Sequence, residues 1–183
     1  MRIPVVGFDP SMTAWGIARG QLDLTTGYLE NLTVQVLEPV KIETKQVRQN
    51  SQDLAVAKQL AQQAFDEVLY AKAIFVEVPV GSQNARSMCS YGMCVGILGA
   101  LLAKDVQLIE VTAFEVKIAL AGKKHATKRE MIDAAVSFYP DVEFPMKGTR
   151  IVDKAEHAAD AIGAIHAGVL TPMFQNLLKL LKP

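Results

Sequence analysis

The first 37 residues constrain the fold more than any other part of the chain. Three apolar or alternating runs occur there: IPVVGF at 3–8, AWGIARG at 14–20 and GYLENLTVQVL at 27–37. Two parallel strands need a crossover of about a dozen residues between them, whereas a hairpin needs only a few. The gaps here are short, so the three strands are expected to pair as an antiparallel meander. Beyond them the period changes. Val47, Leu54, Val56, Leu60, Ala64, Val68 and Leu69 recur at helical spacing over 47–71. A fourth strand, AIFVEV at 73–78, a helix from about Asn84 to Lys104 and a fifth strand, VQLIEV at 106–111, come next. Helices are then expected near 112–120, 127–138 and 155–168, and a short amphipathic helix near 172–182 closes the chain.

Three strands followed by strand–helix alternation is the order of a ribonuclease H-like α/β fold. Such a fold has a mixed five-stranded sheet, antiparallel meander first and crossover strands after, flanked by helices. The 183 residues suit one domain over 1–183, and half of them are hydrophobic, enough for a core. The longest apolar run, MCVGILGALLA at 93–103, is too short to span a membrane and reads as a buried helix. No membrane is expected among the partners. The start, MRIPVVGFD, lacks the long apolar segment of a leader, so a cytoplasmic location is expected. Cys89 and Cys94 fall on different sides of a helix and read as small core hydrophobes rather than a disulfide or metal pair. The formal net charge is zero, but its distribution is uneven. Lys117, Lys123, Lys124, His125, Lys128 and Arg129 crowd a stretch without a single acid, and KGTR at 147–150 forms a second basic loop.

Two acids interrupt apolar strands. Asp9 closes the first and Glu77 ends the fourth. A lone buried carboxylate costs several kcal/mol, in order of magnitude, unless it is paired or metal-bound. One such acid reads as structural. Two at neighbouring strand ends would converge. On the helix at 155–168, His157 and Asp160 are three apart and share a face. Ala155, Ala158, Ala159 and Ala161 around them allow that helix a close approach to the sheet. Asp153 and Glu156 fit a capping box at its start. Three acids and an imidazole, with few thiols, describe a site for a hard cation such as Mg²⁺ or Mn²⁺. A carboxylate cluster of this kind can hold two ions about 4 Å apart, an arrangement suited to displacement at phosphorus.

At these positions the sequence resembles the RuvC-type Holliday junction resolvases, over nearly the whole chain. GFDPSMTAWGIA is similar to the family's opening Asp-Pro-Gly…Thr-Gly-Trp-Gly pattern. FVEVPVGSQNARS resembles its second block, where an acid closes strand four and Asn and Ser begin the next helix. HAADAIGAI resembles the last block. The resemblance implies that Asp9, Glu77, His157 and Asp160 are the catalytic, metal-binding positions, two Mg²⁺ ions to a site with Mn²⁺ able to substitute. The family has Asp or His at the third position, and His157 matches its phage-encoded branch. The resemblance also implies that Lys117 and Lys128 are catalytic lysines beside the scissile phosphate. Lys123, Lys124 and Arg129 are expected, on charge grounds, to contact the DNA backbone. Asn84, Arg86 and Ser87, at the polar start of a helix, are candidate DNA contacts, with simple capping as the competing reading.

The implied activity is that of a crossover junction endodeoxyribonuclease. It is metal-dependent hydrolysis of phosphodiester bonds at four-way junctions and other branched DNA, in recombination or phage DNA processing, in the cytoplasm of a bacterium or a phage-infected host. A homodimer is also implied. Gly92, Gly96 and Gly99 fit either a dimer contact or close packing on the chain's own sheet, and the second is the plainer reading. The chain departs from the family pattern at Ser11, where Gly is usual, and at Pro79 and Val80, where members carry an aromatic near the junction centre. Those departures point to a broader range of branched substrates. Two alternatives stand beside this reading: a non-cleaving branched-DNA-binding module of the same fold, and a nuclease of flaps or RNA–DNA hybrids. An actin-like or sugar-kinase-like phosphate binder would need a second Asp-x-Gly loop, which the chain lacks.

Overall fold

The computed structural model describes residues 1–41, 48–104 and 106–181. The elements run β1 (Arg2–Asp9), β2 (Trp15–Asp23), β3 (Leu29–Leu37), α1 (Gln49–Tyr70), β4 (Ala73–Glu77), α2 (Ala85–Leu102), β5 (Gln107–Val111), α3 (Ala113–Ala121), α4 (Lys128–Phe138), β6 (Met146–Lys147), β7 (Arg150–Ile151), α5 (Ala155–Gly168) and α6 (Pro172–Leu181). The expected meander forms. The main sheet has the order β3-β2-β1-β4-β5, with β1–β2 and β2–β3 antiparallel and β1–β4 and β4–β5 parallel. The basic loop at 147–150 is the tip of a separate hairpin, β6–β7, with Gly148 at φ 63° in the turn. The expected helix start at Val47 and the expected end at Lys182 lie outside the described residues.

Period-two alternation assigns each strand residue to one of two cores. Val6, Phe8, Ile74 and Val76 face α1 and α2, whose Val56, Leu60, Ala64, Cys94, Ile97 and Leu101 complete that layer. Val5, Ala18, Phe75 and Ile109 face α3, α4 and α5. The capping boxes Thr112–Glu115 and Thr127–Glu130 fix where α3 and α4 begin. α5 crosses the sheet at very short range, as its small residues suggested. A Cβ added at Gly7 would stand 2.0 Å from the Ala161 carbonyl oxygen, one at Gly16 1.9 Å from that of His157, and one at Gly168 2.1 Å from the Phe75 ring.

Several expectations are corrected. Leu54 and Leu69 point to solvent, 72% and 84% exposed, and the position next to Val68 on the inner face of α1 belongs to Glu67. That carboxylate is fully buried and takes two bonds from Arg19 on β2, one of them Nε to Oε2 at 2.7 Å. Guanidinium and carboxylate satisfy each other, which is the condition for burying such an acid. On α2 only Cys94, Ile97, Leu98 and Leu101 are buried, and Cys89 is exposed rather than a core residue. A Cβ at Gly92, Gly96 or Gly99 would meet open space, so the glycine stripe faces away from the sheet instead of packing on it. α2 as a whole is long and apolar enough to cross a membrane by length and composition, more than the 93–103 run suggested. Its inner side is built into the sheet's core and its outer side is bare.

Candidate active site

The carboxylates meet because of register. Phe8 pairs with Val76 across the parallel β1–β4 ladder, so Asp9 and Glu77 are the next residues on adjacent strands, at the same end and on the same face. That face carries α5. His157 Nδ1 lies 2.6 Å from Asp9 Oδ2, and Asp160 follows three residues on, three-residue spacing keeping both on one side of the helix. The four positions singled out in the sequence are therefore brought together.

Crowding sets the electrostatics. Burial, and then the charge of Asp9, push the Glu77 carboxyl up to about 7, with Lys117 and His157 pulling the other way. Burial pushes Asp160 to about 8, helped by Asp9, Glu77 and Glu156. The bond to Asp9 raises His157 despite its partial burial. Asp160 Oδ1 is buried with no hydrogen-bond partner among the described residues. Also among the described residues, no three His, Cys, Asp or Glu side chains stand close enough together to enclose a cation as placed. The donor chemistry nonetheless suits a hard cation: an orphaned carboxylate oxygen, and carboxyl groups raised by burial and by the charge of Asp9, which a cation would relieve. Asp9, Glu77, His157 and Asp160 are the residues that would hold it.

A cleft of about 350 Å³ opens beside the acids, lined by Asp9, Ser11, Glu77, Pro79, Val80 and Tyr91 among others. Val80 is 88% exposed at its rim. Gly81 turns at φ 113°, a conformation that favours glycine. Ser11, by contrast, keeps negative φ, so the departure from Gly there needs no special backbone.

The basic residues are mostly paired. Lys117 on α3 is half-buried and its charge is felt by Glu77. Lys128 binds Glu156, Lys123 binds Glu130, and Arg129 lies 2.8 Å from Asp133. Lys124 sits over the Phe114 ring, 4.4 Å from its centre. Arg86 grips Asp53 of α1 with both terminal guanidinium nitrogens, and Asn84 caps α2 by accepting the Ser87 N–H. Three cations of the acid-free stretch, Lys123, Lys128 and Arg129, are thus paired with acids that lie further along the chain.

The capping box expected of Asp153 and Glu156 does not form. Lys154 is the N-cap of α5, without a side-chain bond, and Asp153 offers its backbone carbonyl, 3.1 Å from the Glu156 N–H. Glu156 turns instead toward the site, with Oε1 3.9 Å from His157 Nε2. Its spacing of four from Asp160 was the signal that it shares their face.

The raised acids make a stability prediction. Glu77 and Asp160 have folded pKa values above their ordinary ones, so between about pH 4.5 and about pH 8 the folded state binds more protons than the unfolded one. Their stabilising contribution is present at the acid end and is lost as pH rises. His157, also raised, acts in the same sense above its ordinary 6.5. His166, lowered by burial, opposes Glu77 and Asp160 below 6.5, one group against two. The expected result is a melting temperature in EDTA that falls as pH rises across this window, with Mg²⁺ restoring more at higher pH because binding expels protons. A flat profile with and without Mg²⁺ would refute the charge crowding.

No family model and no curated protein sequence matches this chain. Solved structures do. RuvC of Thermus thermophilus superposes with a TM-score of 0.58 at 18% identity, covering 90% of this chain and 92% of that one. T. thermophilus RuvC in complex with Holliday junction substrate gives 0.61 at 18% identity, covering 95% and 96%. The yeast mitochondrial Holliday junction resolvase Ydc2 gives 0.55 at 12% identity, covering 97% and 86%. The fold is that of the RuvC-type resolvases.

Proposed function

We propose that a chain with this fold and this cluster of acids is a metal-dependent, structure-selective DNA endonuclease, hydrolysing phosphodiester bonds at four-way junctions and other branched DNA. The observation that carries the reading is the convergence of Asp9, Glu77, His157 and Asp160 at one sheet end, with a buried Asp160 oxygen left without a partner. The likeness to a RuvC solved with a Holliday junction supports the choice of substrate. A non-cleaving module would have no use for four filled metal-binding positions. The four residues would hold two Mg²⁺ ions, with Mn²⁺ as substitute. Bound there, the ions supply Lewis acidity at phosphorus and an activated water. Asp9 fixes the His157 ring through Nδ1. Lys117, whose charge Glu77 feels, and Lys128, whose ammonium feels Asp160, bring positive charge beside the acids, where the phosphate would gain charge in the transition state.

The test is nicking of a labelled synthetic four-way junction beside matched linear duplex, flap and RNA–DNA hybrid, in Mg²⁺ or EDTA. Symmetrical, Mg²⁺-dependent nicks on the junction are expected. Equal cutting of flaps would widen the substrate range. Tight junction binding with no cutting of any substrate would leave a binding module.

The bare side of α2 is the surface for a homodimer. Met88, Cys89, Gly92, Val95, Gly96, Gly99 and Leu102 present it, all exposed and none charged. Glycines there admit a second backbone closely, and a two-fold axis would set two sites symmetrically on a two-fold junction. Val95→Asp is expected to weaken self-association by at least about tenfold in sedimentation, as a charge buried at an interface centre does. It should convert paired nicks into single ones. Unchanged self-association would move the contact elsewhere.

A further inference from the structure

Glu156 is the one acid at this site with no role in the reading above. Its side chain is only 13% exposed, and its carboxylate holds the ammonium of Lys128, whose own side chain is 73% exposed. The pair joins the first turn of α5 to the first residue of α4, across 28 residues of sequence. Glu156 does not cap α5, and placing a further negative charge near Asp160 is unfavourable unless that charge does something there. What it does in this structure is hold a flexible lysine. An unpaired lysine at a helix surface spreads over many rotamers, and fixing it costs side-chain entropy. An ammonium has three donors, so one given to Glu156 leaves two for phosphate oxygens.

We infer that Glu156 is a positioning residue: it anchors Lys128 at the rim of the carboxylate cluster, so that the ammonium meets the phosphate of the DNA strand entering the cleft. The inference rests on the nuclease reading. It differs from a direct role in cation binding, which the 3.9 Å approach of Glu156 to His157 would equally allow. It also differs from a merely structural tie between α4 and α5.

A double-mutant cycle separates these, reading single-turnover nicking of a four-way junction and junction affinity at saturating Mg²⁺, with a Mg²⁺ titration of each variant giving the concentration for half-maximal rate. Loss of an orienting partner typically costs 10- to 100-fold, so Glu156→Gln is expected to slow cleavage about tenfold. Lys128→Met removes a donor to the developing charge and is expected to cost about 100-fold. The double variant should be no slower than Lys128→Met, within about twofold, because coupled residues are not additive. The half-saturating Mg²⁺ of Glu156→Gln should stay within about threefold of wild type, since a positioning residue acts through its partner and not through the ion. Glu156→Asp keeps the charge but shortens the reach. It should still slow cleavage a few-fold, and it serves as the second variant if the glutamine form folds poorly. Multiplicative losses in the double variant would overturn the proposal. So would a tenfold or greater rise in Mg²⁺ requirement, which would make Glu156 a cation ligand. A wild-type chain that cuts no branched DNA would sink the nuclease reading itself, a result told apart by the wild-type lane alone.

Discussion

Asp9→Asn is expected to abolish cleavage, lowering the nicking rate by at least about 10³-fold, or roughly 4 kcal/mol of transition-state stabilisation. Asp9 has that weight because every other group at the site answers to it. It holds His157 through Nδ1 at 2.6 Å. After burial, its charge is the largest cause that lifts both Glu77 and Asp160 above the ordinary carboxylate range. Asparagine keeps the shape and a hydrogen bond to the imidazole but gives up the charge that a cation needs. A second readout separates this from unfolding. At about pH 8 Asp9 mainly repels two buried carboxylates, so removing its charge should leave the EDTA-treated protein at least as heat-stable as wild type. Junction binding, on the proposed reading, should survive too, because affinity for DNA comes mainly from cationic contacts to phosphates, which Asp9 cannot supply. Cleavage near the wild-type rate would end the nuclease assignment. A lower melting temperature at pH 8 would mean that Asp9 is chiefly a structural partner of His157.

The sheet and four of the site's residues were legible in the sequence because each rests on a local pattern. The short gaps before residue 37 demanded hairpins. Asp9 and Glu77 each broke an apolar strand at its end. His157 and Asp160 shared a helical face among alanines. What escaped notice depends on partners distant in sequence. Glu67 looks like one more charge on the outer side of α1, and only the fold brings Arg19, 48 residues earlier, onto it. The basic stretch around Lys123 looks free because the acids that quench it, Glu130, Asp133 and Glu156, follow it in the chain and meet it through helix packing. Asp153 and Glu156 satisfied the spacing of a capping box, yet the chain enters α5 through Lys154, one residue later than that spacing assumed. The glycines of α2 permit close approach, which in the sequence fits packing on the chain's own sheet or a dimer contact, the first being the plainer reading. The same smallness leaves them open on the outer side, where a sequence cannot say which neighbour is meant. On α5, by contrast, small residues do face the sheet.

Gly16→Ala draws on that last contact and is expected to be the most damaging single-methyl change in the chain. Gly16 pairs with Asp9 across β1–β2, so it lies directly beside the acid at the centre of the candidate site. Its φ is negative, and glycine is not required there for backbone freedom. It is required for space: the new Cβ would stand 1.9 Å from the His157 carbonyl oxygen and 2.4 Å from its carbonyl carbon. Both are backbone atoms, so no rotamer change relieves the clash, and α5 must lift from the sheet. Overpacking a tight core costs about 1–3 kcal/mol and occasionally more. At about 3 kcal/mol, a domain of this size should lose on the order of 10 °C in melting temperature. The damage is directional as well. Lifting the first turns of α5 draws His157 off Asp9 and moves Asp160 away from Glu77, so nicking should fall by at least about 100-fold even at temperatures where the variant stays folded, since a 1 Å misplacement alone can cost that much. Gly27→Ala makes the control, because its Cβ would meet open space and its φ of 73° brings only local strain in a distant turn. It should lower the melting temperature modestly and leave the nicking rate of the folded protein unchanged. A Gly16→Ala protein that melts and cuts like wild type would mean that α5 does not sit on β1 and β2 at the distance the site requires.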